Sequence, residues 1–114
     1  MPSTRAAGAA AERRARRYYR LRGYRILAQN ARAGRYEIDL IVRRGRLLVF
    51  CEVKAKTGES FGHPAEMVNA EKQRRLRCAA ETWLAPRREL DDLEVTFDVV
   101  AVRPDRIERI RNAL

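Results

Sequence analysis

At 114 residues the chain sits near the commonest domain size, which leaves room for one modest core and excludes a multidomain architecture. Apolar residues make up 46%, which argues against wholesale disorder, while 25 Lys and Arg against 15 Asp and Glu leave a net charge of +10. A surface of that sign favours polyanions, of which nucleic acid is the commonest. No apolar run approaches membrane-spanning length and Met1 to Ala11 holds no signal-peptide core, so the expected setting is cytoplasmic with no membrane partner.

Residues 1–4 read as a loose leader to the one domain spanning 1–114. From Arg5 to Arg22 the Ala- and Arg-rich composition predicts a helix with Ala11, Ala15, Tyr18 and Arg22 on its inner stripe and Gly23 as its stop. A first strand is expected over Tyr24 to Asn30, followed by a turn at Ala33-Gly34 and a second strand over Tyr36 to Arg43. Gly45-Arg46 suits a two-residue hairpin turn, which sets Arg44 opposite Leu47, Asp39 opposite Glu52 and Glu37 opposite Lys54. A turn at Arg44-Gly45 instead moves each partner by two residues and keeps the charges on one face.

After the third strand, Leu47 to Lys54, a loop containing His63 runs towards Pro64; a lone loop histidine more often faces solvent than acts as a base. Asn69 then caps a helix over Ala70 to Ala85, with Leu76, Ala79 or Ala80, Trp83 and Leu84 inward and Pro86 as its stop. A strand follows over Val95 to Val102, and Arg106 to Leu114 is either a short strand or a helix. Cys51 and Cys78 are too far apart to suggest a zinc site and are expected to be buried thiols. The order of elements predicts an α/β fold, a central mixed sheet flanked by helices.

The chemistry is concentrated in two strands. Glu52 and Lys54 alternate with Leu48 and Phe50 on one face, where a charge needs a partner or a metal to offset its desolvation. Asp39 lies in a similar run. Phosphodiester hydrolysis needs oxygen ligands for a divalent ion and neutralisation of charge on the phosphorus centre. Asp39, Glu52 and the Val53 carbonyl would supply the ligands for Mg²⁺ or Mn²⁺, and Lys54 the cation that orients water or offsets charge. Glu37 and the helical Glu12 would complete the acid cluster. Glu12 is the only acid before Glu37, among ten arginines; its bland alternative is an i,i+4 pair with Arg16. Arg13, Arg16, Arg17 and Arg20 on the first helix, and Lys72, Arg74 and Arg75 on the second, are the expected phosphate-contacting surfaces. Glu-x-Lys alone carries little weight in so charged a chain, since an exposed cross-strand ion pair explains it as well.

Asp39, then Glu52-Val53-Lys54, with a preceding helix carrying Glu12, resembles the PD-(D/E)XK, or restriction-endonuclease-like, superfamily. The runs Glu37-Ile38-Asp39-Leu40-Ile41, Val49-Phe50-Cys51-Glu52-Val53-Lys54, Phe61-Gly62, Lys72-Gln73-Arg74-Arg75-Leu76 and Phe97-Asp98-Val99-Val100-Ala101-Val102 more closely resemble the bacterial YraN family, similar in fold to Holliday junction resolvases. The resemblance covers residues 8–114. It implies a restriction-endonuclease-like core of four or five strands, with Asp39 and Glu52 as metal ligands, Lys54 as catalytic lysine, Glu12 as helix-borne acid and Gln73 near the site. Tyr36 departs from the glycine usual before the first acid. The implied activity is a metal-dependent endonuclease acting on DNA, branched or structured DNA included, and a symmetric two-strand cut would favour a homodimer. The competing readings are a non-catalytic nucleic-acid-binding module on the same fold and a basic surface that docks an acidic protein.

Overall fold

The computed structural model describes residues 4–56 and 69–113. Its elements are α1 (Thr4–Leu21), β1 (Arg25–Ala33), β2 (Tyr36–Arg44), β3 (Leu47–Ala55), α2 (Ala70–Leu84), β4 (Glu94–Val102) and β5 (Ile107–Ile110), with a short 3₁₀ turn at Arg88–Leu90. Thr4, expected in the leader, opens α1, and the last segment resolves as a strand. The expected loop features Phe61, Gly62, His63 and Pro64 lie outside the described residues.

The five strands form one mixed sheet in sequence order, β1-β2-β3-β4-β5. The pairs β1–β2, β2–β3 and β4–β5 are antiparallel, and β3–β4 is parallel. A parallel neighbour requires a long crossover, and α2 lies within it. Local chemistry sets the hairpins. Gly45 adopts φ +60 and Arg44 pairs with Leu47, so the turn is Gly45-Arg46. Gly34, at φ +65, turns β1 into β2 with Ala33 opposite Tyr36. β1 runs to Ala33 rather than ending at Asn30, through a register shift between Ile26 and Ala28. α1 stops at Gly23, whose φ of +85 lets the Arg22 and Tyr24 N–H groups both reach the Tyr19 carbonyl.

Alternation along β3 divides the core. Val49, Cys51 and Val53 pack towards α1 with Ala11, Ala15 and Tyr19. Leu48 and Phe50 pack towards α2 with Ala79, Ala80 and Trp83. Phe50 meets Trp83 edge-on, with ring centroids 5.8 Å apart, and burial of each such side chain stabilises the fold by about 2–3 kcal/mol. Three expectations are corrected here. Tyr19, not Tyr18, is the buried tyrosine of α1, continuing the i,i+4 row of Ala11 and Ala15. Arg22 is exposed, its guanidinium stacked 3.5 Å over the Tyr18 ring. Cys78 is exposed, because its position is turned about 200° from Leu76 on the helix.

A polar group closes the α1 side. Asp98, in the apolar run of β4, accepts the Tyr19 hydroxyl and the Arg109 Nε, each at 2.7 Å, and the Asn112 N–H at 3.3 Å. Arg109 also donates to the Tyr24 hydroxyl at 3.1 Å. Burial, then the nearby Cys51 and Asp98, pushes the Tyr19 phenol far above its ordinary pKa, so it stays a donor.

Candidate metal and nucleic-acid site

The β2–β3 ladder ends at Leu40–Cys51. Beyond it, β2 continues against β1, with Arg32 opposite Glu37, while β3 continues against β4, with Lys54 opposite Ala101. The two central strands therefore fork after Leu40 and Cys51, and the next residues at the fork are Asp39 and Glu52. Neither of the expected ladder pairings, Asp39 with Glu52 or Glu37 with Lys54, is made. At the fork, the Asp39 carboxylate accepts the Val53 N–H at 2.8 Å, taking the place of a main-chain acceptor.

Asp39 and Glu52 open into a cleft of about 250 Å³ under α2, lined also by Arg35, Tyr36, Glu37, Lys72 and Arg75. Burial pushes the Asp39 carboxyl up to about 6; the Val53 N–H opposes this, Glu52 and Glu12 raise it further and Lys54 lowers it. Glu12 sits half-buried on α1, close enough for its charge to be felt at Asp39, and among the described residues it makes no ion pair with Arg16. Cys51 also borders the cleft, but burial above all raises its thiol pKa well beyond the usual range, which leaves it inert.

Glu52 has two lysines. Lys72 Nζ lies 2.7 Å from Glu52 Oε1, and Lys54 Nζ lies 3.8 Å from the same oxygen. The side chain of Glu52 is 14% exposed, against 27% for Lys72 and 47% for Lys54. The Lys72 position follows from the helix start: the Asn69 side chain caps α2 by accepting the Lys72 N–H at 2.8 Å. The sequence pattern placed Lys72 on a phosphate-contacting surface; its ammonium is turned into the cleft. Gln73 is half-buried on the same helix and is not among the residues lining the cleft.

The basic residues divide between two faces. Arg13, Arg17 and Arg20 are exposed on α1 and Arg16 is half-buried there. Arg74 and Arg75, on α2, are exposed and each pairs with Glu71, at 3.5 and 3.4 Å. Sequence reasoning passed over Arg35, which no strand pattern marks because it lies in the β1–β2 turn. Asp98 was signalled by the same feature that singled out Asp39, an acid inside an apolar strand.

The donors suit a hard divalent ion that keeps part of its water, since Mg²⁺ is commonly held by one or two carboxylates. Among the described residues no three His, Cys, Asp or Glu side chains converge into a complete cage. Two carboxylates, supplemented by a backbone oxygen and water, thus fit Mg²⁺ or Mn²⁺ better than a fully protein-ligated ion.

Fold and cleft together define a small mixed-sheet α/β protein with paired carboxylates and lysines at a strand fork. The chain belongs to the uncharacterised protein family UPF0102, whose model matches residues 11–102 and which includes the YraN proteins. It is 48% identical over 86 residues to a UPF0102 protein of Syntrophotalea carbinolica, covering 75% of this chain and 69% of the relative. A UPF0102 protein of Symbiobacterium thermophilum is 44% identical over 108 residues, covering 95% and 91%. One from Pectobacterium carotovorum subsp. carotovorum is 42% identical over 110 residues, covering 96% and 93%. Among the described residues no helix is long and apolar enough to cross a membrane.

Proposed function

We propose that this protein is a metal-dependent endonuclease of the restriction-endonuclease-like superfamily, hydrolysing phosphodiester bonds in DNA. One observation carries the reading: Asp39 and Glu52 flank the fork of the central strands and share one cleft with Lys72, while Lys54 stands outside its lining, 3.8 Å from Glu52. A strand fork frees backbone groups that a continuous ladder would pair, and here the side chains beside it are hard oxygen donors in a strongly basic chain.

In this reading Asp39, Glu52 and the Val53 carbonyl hold Mg²⁺ or Mn²⁺, which supplies Lewis acidity towards a phosphate oxygen and water. Val53 fixes Asp39 through its N–H, so the carboxylate is oriented before any ligand arrives. Water oxygen bonds to phosphorus as the bond from phosphorus to the leaving oxygen breaks. The water's proton passes to solvent, and the leaving oxygen is protonated in turn. Lys54 offsets charge on the phosphorus centre, and Glu12 adds negative potential beside Asp39 that favours a cation. Arg35 and Arg75, at the cleft walls, contact flanking phosphates. The exposed arginines of α1 lie across the sheet from α2, a placement suited to the separate arms of a branched substrate.

A second reading is a nucleic-acid-binding module that does not cut. Its support is the Lys72–Glu52 pair, which satisfies the second carboxylate from within the protein. The deciding experiment incubates labelled branched, single-stranded and linear DNA with Mn²⁺ or Mg²⁺ and with wild type or Asp39→Asn. Metal-dependent cutting lost in Asp39→Asn supports the nuclease. Binding by both proteins without cutting by either supports the module.

A further inference from the structure

We infer that Lys72 is the resident cation of the cleft: it holds Glu52 in the metal-free protein and gives that carboxylate up when a divalent ion binds. The inference rests on the metal-binding reading above and adds a competitor for one of its ligands.

The argument begins with geometry. Lys72 approaches Glu52 Oε1 to 2.7 Å, a full charge-assisted hydrogen bond, whereas Lys54 stands 3.8 Å away. Both members of the closer pair are largely withdrawn from water, so removing Glu52 strips Lys72 of its carboxylate, and removing Lys72 leaves Glu52 only the longer contact to Lys54. The Asp39 carboxylate is held differently, by a backbone N–H that leaves its charge uncancelled. The two carboxylates of the cleft thus have unlike partners: Asp39 keeps an immobile dipole, and Glu52 keeps a lysine.

A lysine is suited to exchange. Its ammonium is a compact charge on a flexible stem, free to swing while its backbone stays fixed. Here the backbone is fixed by the Asn69 cap, so Lys72 leaves Glu52 without unwinding α2. Glu52 Oε1 cannot keep the Lys72 ammonium at this distance and also coordinate a divalent ion from the same side. Lys72 therefore subtracts directly from cation affinity, while the more exposed and more distant Lys54 subtracts only through screened, longer-range repulsion.

The test is calorimetric titration of Mn²⁺ into metal-free wild type, Lys72→Met, Lys54→Met and Glu52→Gln, with thermal unfolding of each in chelator and in Mn²⁺. The inference expects Lys72→Met to bind Mn²⁺ about fivefold more tightly than wild type, Lys54→Met to change affinity less than about twofold, and Glu52→Gln to lose most binding. It also expects Lys72→Met to melt below wild type in chelator, with Mn²⁺ closing the gap. Equal gains in the two lysine variants, or no gain in Lys72→Met, would overturn the exchange while leaving the metal reading standing. Failure of wild type and Lys72→Met alike to bind Mn²⁺ above the Glu52→Gln level would overturn both.

Discussion

Two acids lie in apolar strands of this sheet, and their surroundings part them. Asp98, on β4, is enclosed: Tyr19, Arg109 and the Asn112 backbone all donate to it, and its side chain is 1% exposed. Asp39, on β2, receives one backbone N–H and opens into the cleft. The first arrangement spends its hydrogen-bonding capacity on joining α1, β4 and β5. The second leaves carboxylate lone pairs facing a space that a cation and a phosphate would occupy. An acid within a strand is therefore no functional sign by itself; a fork in the ladder beside it makes the difference.

Breaking the enclosed pair should produce the largest effect. Asp98→Ala leaves Arg109 charged and nearly buried without its carboxylate, and should lower unfolding free energy by about 3–5 kcal/mol in urea titrations. Stability within about 1 kcal/mol of wild type would dissolve the contrast between the two acids. Next comes the open site. Under the proposed function, Asp39→Asn should reduce metal-dependent cleavage by about a hundredfold or more, with DNA binding retained.

The same substitution should act on stability in the opposite sense to Asp98→Ala, and pH reveals it. The Asp39 pKa is about 6 in the folded protein against an ordinary 3.8, so the folded state holds this proton more tightly. The stability it contributes is fully present below 3.8 and disappears as pH rises through 6. Asp39→Asn should thus be more stable than wild type by about 3 kcal/mol at neutral pH, with the gap closing towards pH 4. Urea midpoints across that range measure it, and a gap that widens on acidification would contradict the burial argument. The smallest effect belongs to the cap: Asn69→Ala should cost about 1 kcal/mol of stability. It should also loosen the placement of Lys72, visible as weaker chemical-shift coupling between Lys72 and Glu52 in NMR titrations.

Much of the fold was legible along the chain because strands and helices leave short-range periodic marks. The alternating runs, Gly45-Arg46, Gly23 and Asn69 each act within a few residues, and all of them form the expected structures. The inner row of α1 was less legible. Tyr18 and Tyr19 differ by one helical step, and the choice of Tyr19 is made by a partner far along the chain, the Asp98 carboxylate. The final strand was ambiguous because Ile107–Ile110 is short and amphipathic in either form; it becomes a strand by adding to the edge of β4.

The sequence by itself determined the elements from α1 to β4, their order, the basic surface and the presence of Asp39, Glu52 and Lys54 on neighbouring strands, since these depend on local pattern and composition. Only the tertiary structure decided that the β2–β3 ladder opens beside Asp39, that Asp98 is enclosed, and that Lys72 from the crossover helix reaches Glu52. Those outcomes depend on where distant segments come to rest against one another, and burial and Coulomb energies there are set by three-dimensional proximity, which periodicity along a chain does not encode.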